Sequence, residues 1–353
     1  MKKFLALALA LCMVFALCAC GQQAATTTEA APATEATEAA PAAEASADKV
    51  GATVLKCAFN QTITNPEAQT LQWMSDELYD ATEGRYSIEV FPDAQLGDQQ
   101  QTLEQCMANA LDMTLVANSI IENVCPDFAI LGTPYVYDSI AHQQKVFESG
   151  KLADLYAETE AQGFTVLANY SLGASNLYTR DKAVTTPEDL AGMKIRVMGS
   201  DTCIAMMNAM GGVGVAMAQG DVYSAIQTKT LDGAENNIIT YTDLVQYEVA
   251  PYYNESGHLM IPDELVINNN VLAAMSEADQ AALKEIGNKS IAFMFNLAEE
   301  LRADYRAKAE AQGVTFSECD VAAFQALCQD LINEVANRTD MTKATYQAII
   351  DCR

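Results

Sequence analysis

Hydrophobic positions along the chain change period repeatedly, and each change marks a predicted element. "TVLKCAFNQ" (53–61) reads as a strand. "TNPEAQTLQWMSDELYDATEG" switches to helical spacing, with Leu71, Met74 and Leu78 on one face. Pro66 suits the first turn, where its missing N–H is no loss, and Gly84 suits the C-terminal cap. "RYSIEVFP" alternates as a strand does, "LGDQQQTLEQCMANA" reads as helix and "LDMTLVAN" as strand. Strands alternating with helices predict an α/β architecture with a largely parallel sheet.

Farther along, "SGKLADLYAETEAQG" predicts a helix stopping at Gly163. "FTVLANYSLGASNLYT" (164–179) is β-rich and broken by Gly173. At about 3.3 Å per residue it is long enough to pass from one sheet to another. "TTPEDLAGMKIRVMG" opens with a helix start, Thr186 as cap, Pro187 in the first turn and Asp189 three on from the cap. A strand holding Arg196 follows. "SDTCIAMMNAMGG" predicts a helix, and "GDVYSAIQTKTLDGAENN" a helix leading to a turn at Asp232–Gly233. From the cap at Ser276 helical spacing persists to Gly313. Some 36 residues at 1.5 Å rise make roughly 54 Å. That exceeds a typical domain's diameter, so this helix either kinks near Gly287 or spans two domains.

The N-terminal pattern differs. In "MKKFLALALALCMVFALCAC" two lysines precede uncharged, mostly apolar residues from Phe4 to Ala19, as in a secretory signal. The run is short for a membrane span, which needs about 20 apolar residues. Residues 22–52 contain no large apolar residue before Val50, too little to offset the entropy of ordering, and read as a tether.

Charge narrows the partners. The chain of 353 residues carries a net −27, which becomes about −29 once Lys2 and Lys3 leave with the leader. Such a field disfavours nucleic acid and anionic membrane surfaces and repels anionic ligands at range. An anion site must therefore be local, a buried cation with aimed donors. Arg196, within the apolar run "GMKIRVMGS", is the candidate, and a solvated strand face shared with Lys194 is the alternative.

Enzyme chemistry finds little support. His142 and His258 stand in no metal spacing, and neither G-x-x-x-x-G-K-[ST] nor G-x-S-x-G occurs. No carboxylate pair is singled out for glycoside hydrolysis. No cofactor, metal or catalytic residue is expected. Seven cysteines remain outside the leader, an odd number at wide spacing with no C-x-x-C. Free buried thiols are the expectation, with one bridge from Cys328 to Cys352 as the alternative.

Several strings together carry a resemblance. "VFPDAQLGDQQQTLEQ", "PDFAILGTPYVYDSIAH", "TPEDLAGMKIRV" and "VYSAIQTKTLDGAENN" resemble, in order and over about residues 54–350, the extracytoplasmic solute-binding proteins of TRAP transporters, the DctP family. "DGAENN" with "KIRVMGS" looks most like a branch that takes sugar acids such as uronates. The resemblance implies a two-domain, periplasmic-binding-protein-like α/β fold with an interdomain cleft and a long bridging helix. It places one domain at 53–173 plus 262–301 and the other at 174–261 plus 302–353. It implies a monomeric receptor, not an enzyme, that captures a small carboxylate and delivers it to TRAP membrane subunits. Leu17-Cys18-Ala19-Cys20 before Gly21 resembles a lipobox. That likeness implies a signal peptide at 1–19, a lipid on Cys20, an acidic tether at 20–52 and anchorage on the outer face of the membrane. The alternatives are a binding lipoprotein serving a signalling receptor, a C4-dicarboxylate binder and a cell-surface hydrolase.

Family positions carry over residue by residue. The arginine that pairs with the ligand carboxylate lands on Arg196, whose planar guanidinium matches two carboxylate oxygens. The asparagine of "D-G-x-E-N" lands on Asn236, with Asn237 beside it where relatives often have proline. Asn60 and Asp98 match polar pocket positions, though either could instead cap a helix. Gln219 stands where an aromatic often packs on the ligand. Ser175, in "GASNLY", replaces a second arginine, which makes a dicarboxylate less expected than a monocarboxylic sugar acid. Tyr241, Tyr247, Tyr252 and Tyr253 are expected to pack at the domain interface rather than wall the cleft.

Overall fold

The computed structural model describes residues 51–353; the leader, Cys20 and nearly all of the tether lie outside the described residues. Eleven strands are described: β1 (Thr53–Ala58), β2 (Tyr86–Phe91), β3 (Met113–Ala117), β4 (Phe164–Tyr170), β5 (Ser175–Thr179), β6 (Lys194–Val197), β7 (Val213–Ala216), β8 (Gly233–Asn236), β9 (Tyr252–Leu259), β10 (Asp263–Asn268) and β11 (Thr315–Glu318). They form two sheets, ordered β2-β1-β3-β10-β4 and β11-β9-β5-β8-β6-β7.

Both sheets are mixed: the first is half parallel, and the second is parallel at β11–β9, β8–β6 and β6–β7 only. β1 runs parallel to β2 and β3, but β10 is antiparallel to both β3 and β4. In the second sheet β5 is antiparallel to β8 and β9, while β6 is parallel to β7 and β8. The reason is the path of the chain. β4 leads directly into β5 of the other sheet, and β9 leads back into β10, so both arriving strands run against their neighbours. Local spacing marks β1 to β6 but not the later strands or the return journey.

The β-rich stretch at 164–179 does pass between sheets. Gly173, at the crossing, has φ +102, and a Cβ there would lie 3.2 Å from both Nε and Nη2 of Arg302. The positive φ strains any side chain there, and the Arg302 guanidinium would have to shift to admit one. The third crossing is the helix Glu277–Ala311, whose 35 residues run unbroken through Gly287. At Gly287 a Cβ would sit 2.6 Å from the Leu167 carbonyl, so this glycine serves close packing on β4 and makes no kink. The long helix also packs on helices Pro66–Ala81 and Ile140–Glu148 of the first half and Ile238–Asp243 of the second.

Side-chain caps explain most α-helix starts. Asn65 Oδ1 accepts from Glu67 N at 2.9 Å ahead of Pro66, and Ser276 Oγ accepts from Asp279 N at 3.2 Å. Thr186 and Asp189 form the predicted capping box, yet only a 3₁₀ turn, Pro187–Leu190, follows. Asp232–Gly233 is no turn: Gly233 opens β8, and Asp232 accepts the Lys194 amide at 2.8 Å. All seven cysteines of the described residues are free, Cys328 and Cys352 included. His142 Nε2 lies 2.8 Å from the Ile349 carbonyl, a structural contact.

Candidate functional site

Chain ends of strands from both sheets face one cavity of about 770 Å³. Parallel strands deliver the residues at or after their carboxyl ends: Asn60 from β1, Met198 from β6, Gln219 beyond β7, Asn236 and Asn237 from β8. β5 and β10 run the other way, so their first residues, Ser175 and Asp263, reach the same space. Arg196, Asn236, Asn60, Ser175, Asp98, Gln219 and Asn237 all line it. Sequence reasoning missed Asp263 and Gln61, which line it too.

Arg196 is 3% exposed. The solvated-face alternative therefore fails. Its Nε donates to the Met217 carbonyl at 2.8 Å and its Nη1 to Gln219 Oε1 at 3.2 Å. Among the described residues Nη2 has no hydrogen-bond partner and Arg196 no carboxylate within ion-pair distance. Asn236 Nδ2 donates to the same Gln219 oxygen at 3.2 Å. One amide oxygen thus accepts from both Arg196 and Asn236. Gln219 Nε2 is buried without a partner, and so is Asn60 Oδ1 from the other side of the cavity. A buried donor or acceptor left unpaired costs stability unless a ligand or water satisfies it.

The asparagine pair divides its work. Asn236 Oδ1 accepts from Asn237 N and Nδ2, both at 2.9 Å, while Asn237 Oδ1 caps the helix Ile238–Asp243 through Thr240 N. Thr240 Oγ1 in turn donates to Gln61 Oε1 at 3.0 Å, tying the second half to the first. Asp98 is both cap and lining residue: its Oδ1 accepts from Gln101 N at 2.9 Å. Asn60 caps nothing; Asn65 has that task.

Below the cavity floor lies Glu235, fully enclosed. Burial pushes its carboxyl up, and the Arg196 charge draws it back. The Ser175 hydroxyl lies near enough to help without a well-formed hydrogen bond, since neither Glu235 oxygen has a partner in hydrogen-bond geometry. His258, 3.8 Å from Glu235, is held to about 3 by burial and stays neutral, so that contact is no ion pair. Tyr178, Tyr241 and Tyr253 pack as tilted rings, with the Tyr241 centroid 5.0 Å from Tyr178 and 4.8 Å from Tyr253. Tyr253 OH donates to the Asn236 carbonyl at 3.2 Å and so holds that residue in place.

The family model for bacterial extracellular solute-binding proteins, family 7 (DctP), matches residues 39–339. The chain belongs to that family. A solute-binding protein of Chromohalobacter salexigens is 32% identical over 271 residues, 76% of this chain and 80% of that one. A TRAP periplasmic solute-binding protein from Xanthobacter autotrophicus Py2, solved with bound β-D-galacturonate, aligns with a TM-score of 0.80 at 30% identity, covering 84% of this chain and 99% of that one. One from Anaerococcus prevotii, solved with D-glucuronate, aligns with a TM-score of 0.82 at 29% identity, covering 85% and 98%. The protein is thus a TRAP solute-binding protein of an extracytoplasmic receptor family. Among its described residues no helix is long and apolar enough to cross a membrane, and no cluster of His, Cys, Asp and Glu suited to a metal ion is present.

Proposed function

We propose that this solute-binding protein captures a hydroxylated monocarboxylate of the uronate class and hands it to the membrane subunits of a TRAP transporter. The observation that carries the reading is the charge inventory of the cavity. Among the described residues Arg196 is the sole Lys, Arg or His lining it, and Asp93, Asp98 and Asp263 line it from the first half. One guanidinium takes one carboxylate; a second carboxylate would meet aspartates instead of a cation. Ser175, where relatives carry another arginine, supports the same choice. Polar atoms left over, Gln219 Nε2 and Asn60 Oδ1, suit hydroxyl groups.

In this reading Arg196 pairs with the ligand carboxylate, Asn236 and Gln219 orient it, and Asn60 and Asp98 receive hydroxyls. The acid is released unchanged. The two sheets with their helices act as domains that close by hinge motion about the three crossings. The protein works as a monomer tethered outside the cytoplasmic membrane through a lipid on Cys20. The bound uronates of its structural relatives support the ligand class.

A thermal-shift panel tests the reading. D-Galacturonate or D-glucuronate at a hundredfold excess over its Kd is expected to stabilise the protein by about 2.7 kcal/mol. Succinate and malate are expected to produce no shift. Stabilisation by the dicarboxylates and none by any uronate would sink the reading.

A further inference from the structure

Behind one cavity wall lies an arrangement that the carboxylate-binding side does not need. Glu67, in the first turn of helix Pro66–Ala81, has no solvent exposure, and neither of its oxygens has a hydrogen-bond partner with both groups ionised. Its neighbour is Asp263, the first residue of β10, half-buried and open on the cavity side. Among the described residues no lysine or arginine contributes to the surroundings of either carboxyl; the other titratable groups near them are Tyr170 from β4, whose OH lies 2.7 Å from Ser290 Oγ, and Glu264 on β10 itself. Two neighbouring carboxyls, one enclosed and one half-buried, without a cation beside them do not both ionise. They share one proton. Burial lifts both, Asp263 to about 6 and Glu67 well above its ordinary range, and a Glu67–Asp263 hydrogen bond favours the charge on Asp263.

We propose that Asp263 is the specificity-determining residue that accepts a hydroxyl of the bound acid, with Glu67 as the positioning residue that holds it from behind. The inference rests on the reading of the cavity as a site for a hydroxylated monocarboxylate, and it adds the residue that selects the hydroxylated member of that class. A protonated Glu67 donates to one Asp263 oxygen and leaves the other free for the ligand. Asp263 lines the cavity from the first sheet and Arg196 from the second, so that Arg196 takes the carboxylate of the acid while one of its hydroxyls reaches Asp263. A charged acceptor built to receive a hydroxyl discriminates strongly against an analogue that lacks it, because the acceptor is then left unpaired.

The test compares D-galacturonate with tetrahydropyran-2-carboxylate, which keeps ring and carboxylate and lacks the hydroxyls, by calorimetry. The wild-type protein is expected to prefer galacturonate at least a hundredfold. D263N is expected to cut that preference at least tenfold through loss of galacturonate affinity, with the hydroxyl-free acid bound as before. E67L is expected to behave like D263N, whereas E67Q, whose amide still donates to Asp263, keeps the wild-type preference. Unliganded melting temperatures identify variants that do not fold; D263S and D263A then replace D263N. An unchanged preference in the folded Asp263 variants overturns the inference alone. Equal behaviour of E67Q and E67L overturns the positioning role of Glu67. Failure of the wild-type protein to bind galacturonate at all overturns the underlying reading and this inference with it.

Discussion

Arg196→Lys is expected to weaken uronate binding at least tenfold without shifting the melting temperature of the unliganded protein. Lysine retains the charge, so buried Glu235 keeps a nearby cation, and the fold is spared. What is lost is the fork. Arg196 spends Nε on the Met217 carbonyl and Nη1 on Gln219, and still presents Nη2 to the cavity. An ammonium on a flexible stem cannot hold those contacts and also bind a carboxylate side-on. Removing one partner of a buried charge pair typically costs about 2–5 kcal/mol of binding. Arg196→Ala is expected to cost more and to lower stability as well, because Glu235 is then buried beside no cation. Calorimetry that returns equal affinities for wild type and Arg196→Lys would remove Arg196 from the site.

The second large effect falls on stability. Gly233→Ala is expected to destabilise the protein by about 3 kcal/mol or more, at the upper end of overpacking costs. Gly233 opens β8 between β5 and β6, and a Cβ there would come within 2.2 Å of the Tyr178 carbonyl and 3.0 Å of Thr179 Cα. Both obstacles are backbone, so no side-chain rotation relieves them. The strand must move, and Asn236 moves with it. Gly220→Ala is the control: no atom within 4 Å would meet its Cβ, and no stability change is expected. Urea unfolding checks both, with the midpoint displaced for Gly233→Ala and the slope retained. A midpoint unchanged by Gly233→Ala would contradict the packing of β8 described above.

How much of this was legible in the sequence depends on how local the signal is. Helix Pro66–Ala81 and the long helix are legible from period and caps alone, because their buried positions repeat over several turns, and β1 is legible from its short apolar run. The passage between sheets at 164–179 was legible from length and Gly173. The antiparallel setting of β10 was not, since it depends on strand partners distant in sequence. The Thr186 capping box was read correctly as a start signal, but the element behind it is a single turn, limited by the need to enter β6. Around the cavity, Arg196 stands out because a cation interrupts an apolar strand, whereas Asn236 is legible only through the family resemblance. Gln219 showed no outward sign that its oxygen would bridge those two residues. Asp263 was invisible: "IPDELVIN" reads as an ordinary strand with a polar start, and only the reversed direction of β10 turns that start toward the cavity.

The same interleaving constrains how the molecule comes to be folded. β10 is inserted between β3 and β4, so β4 has no hydrogen-bonded neighbour until the chain has been made through β5 to β9 and returned. A polypeptide emerging N-terminus first cannot finish its first half before most of its second half exists. Long-range pairing of this kind slows folding, because loop closure precedes the reward of contact. Neither half is a unit that a truncation could isolate, and a break anywhere between β4 and β10 leaves two incomplete sheets rather than one intact lobe.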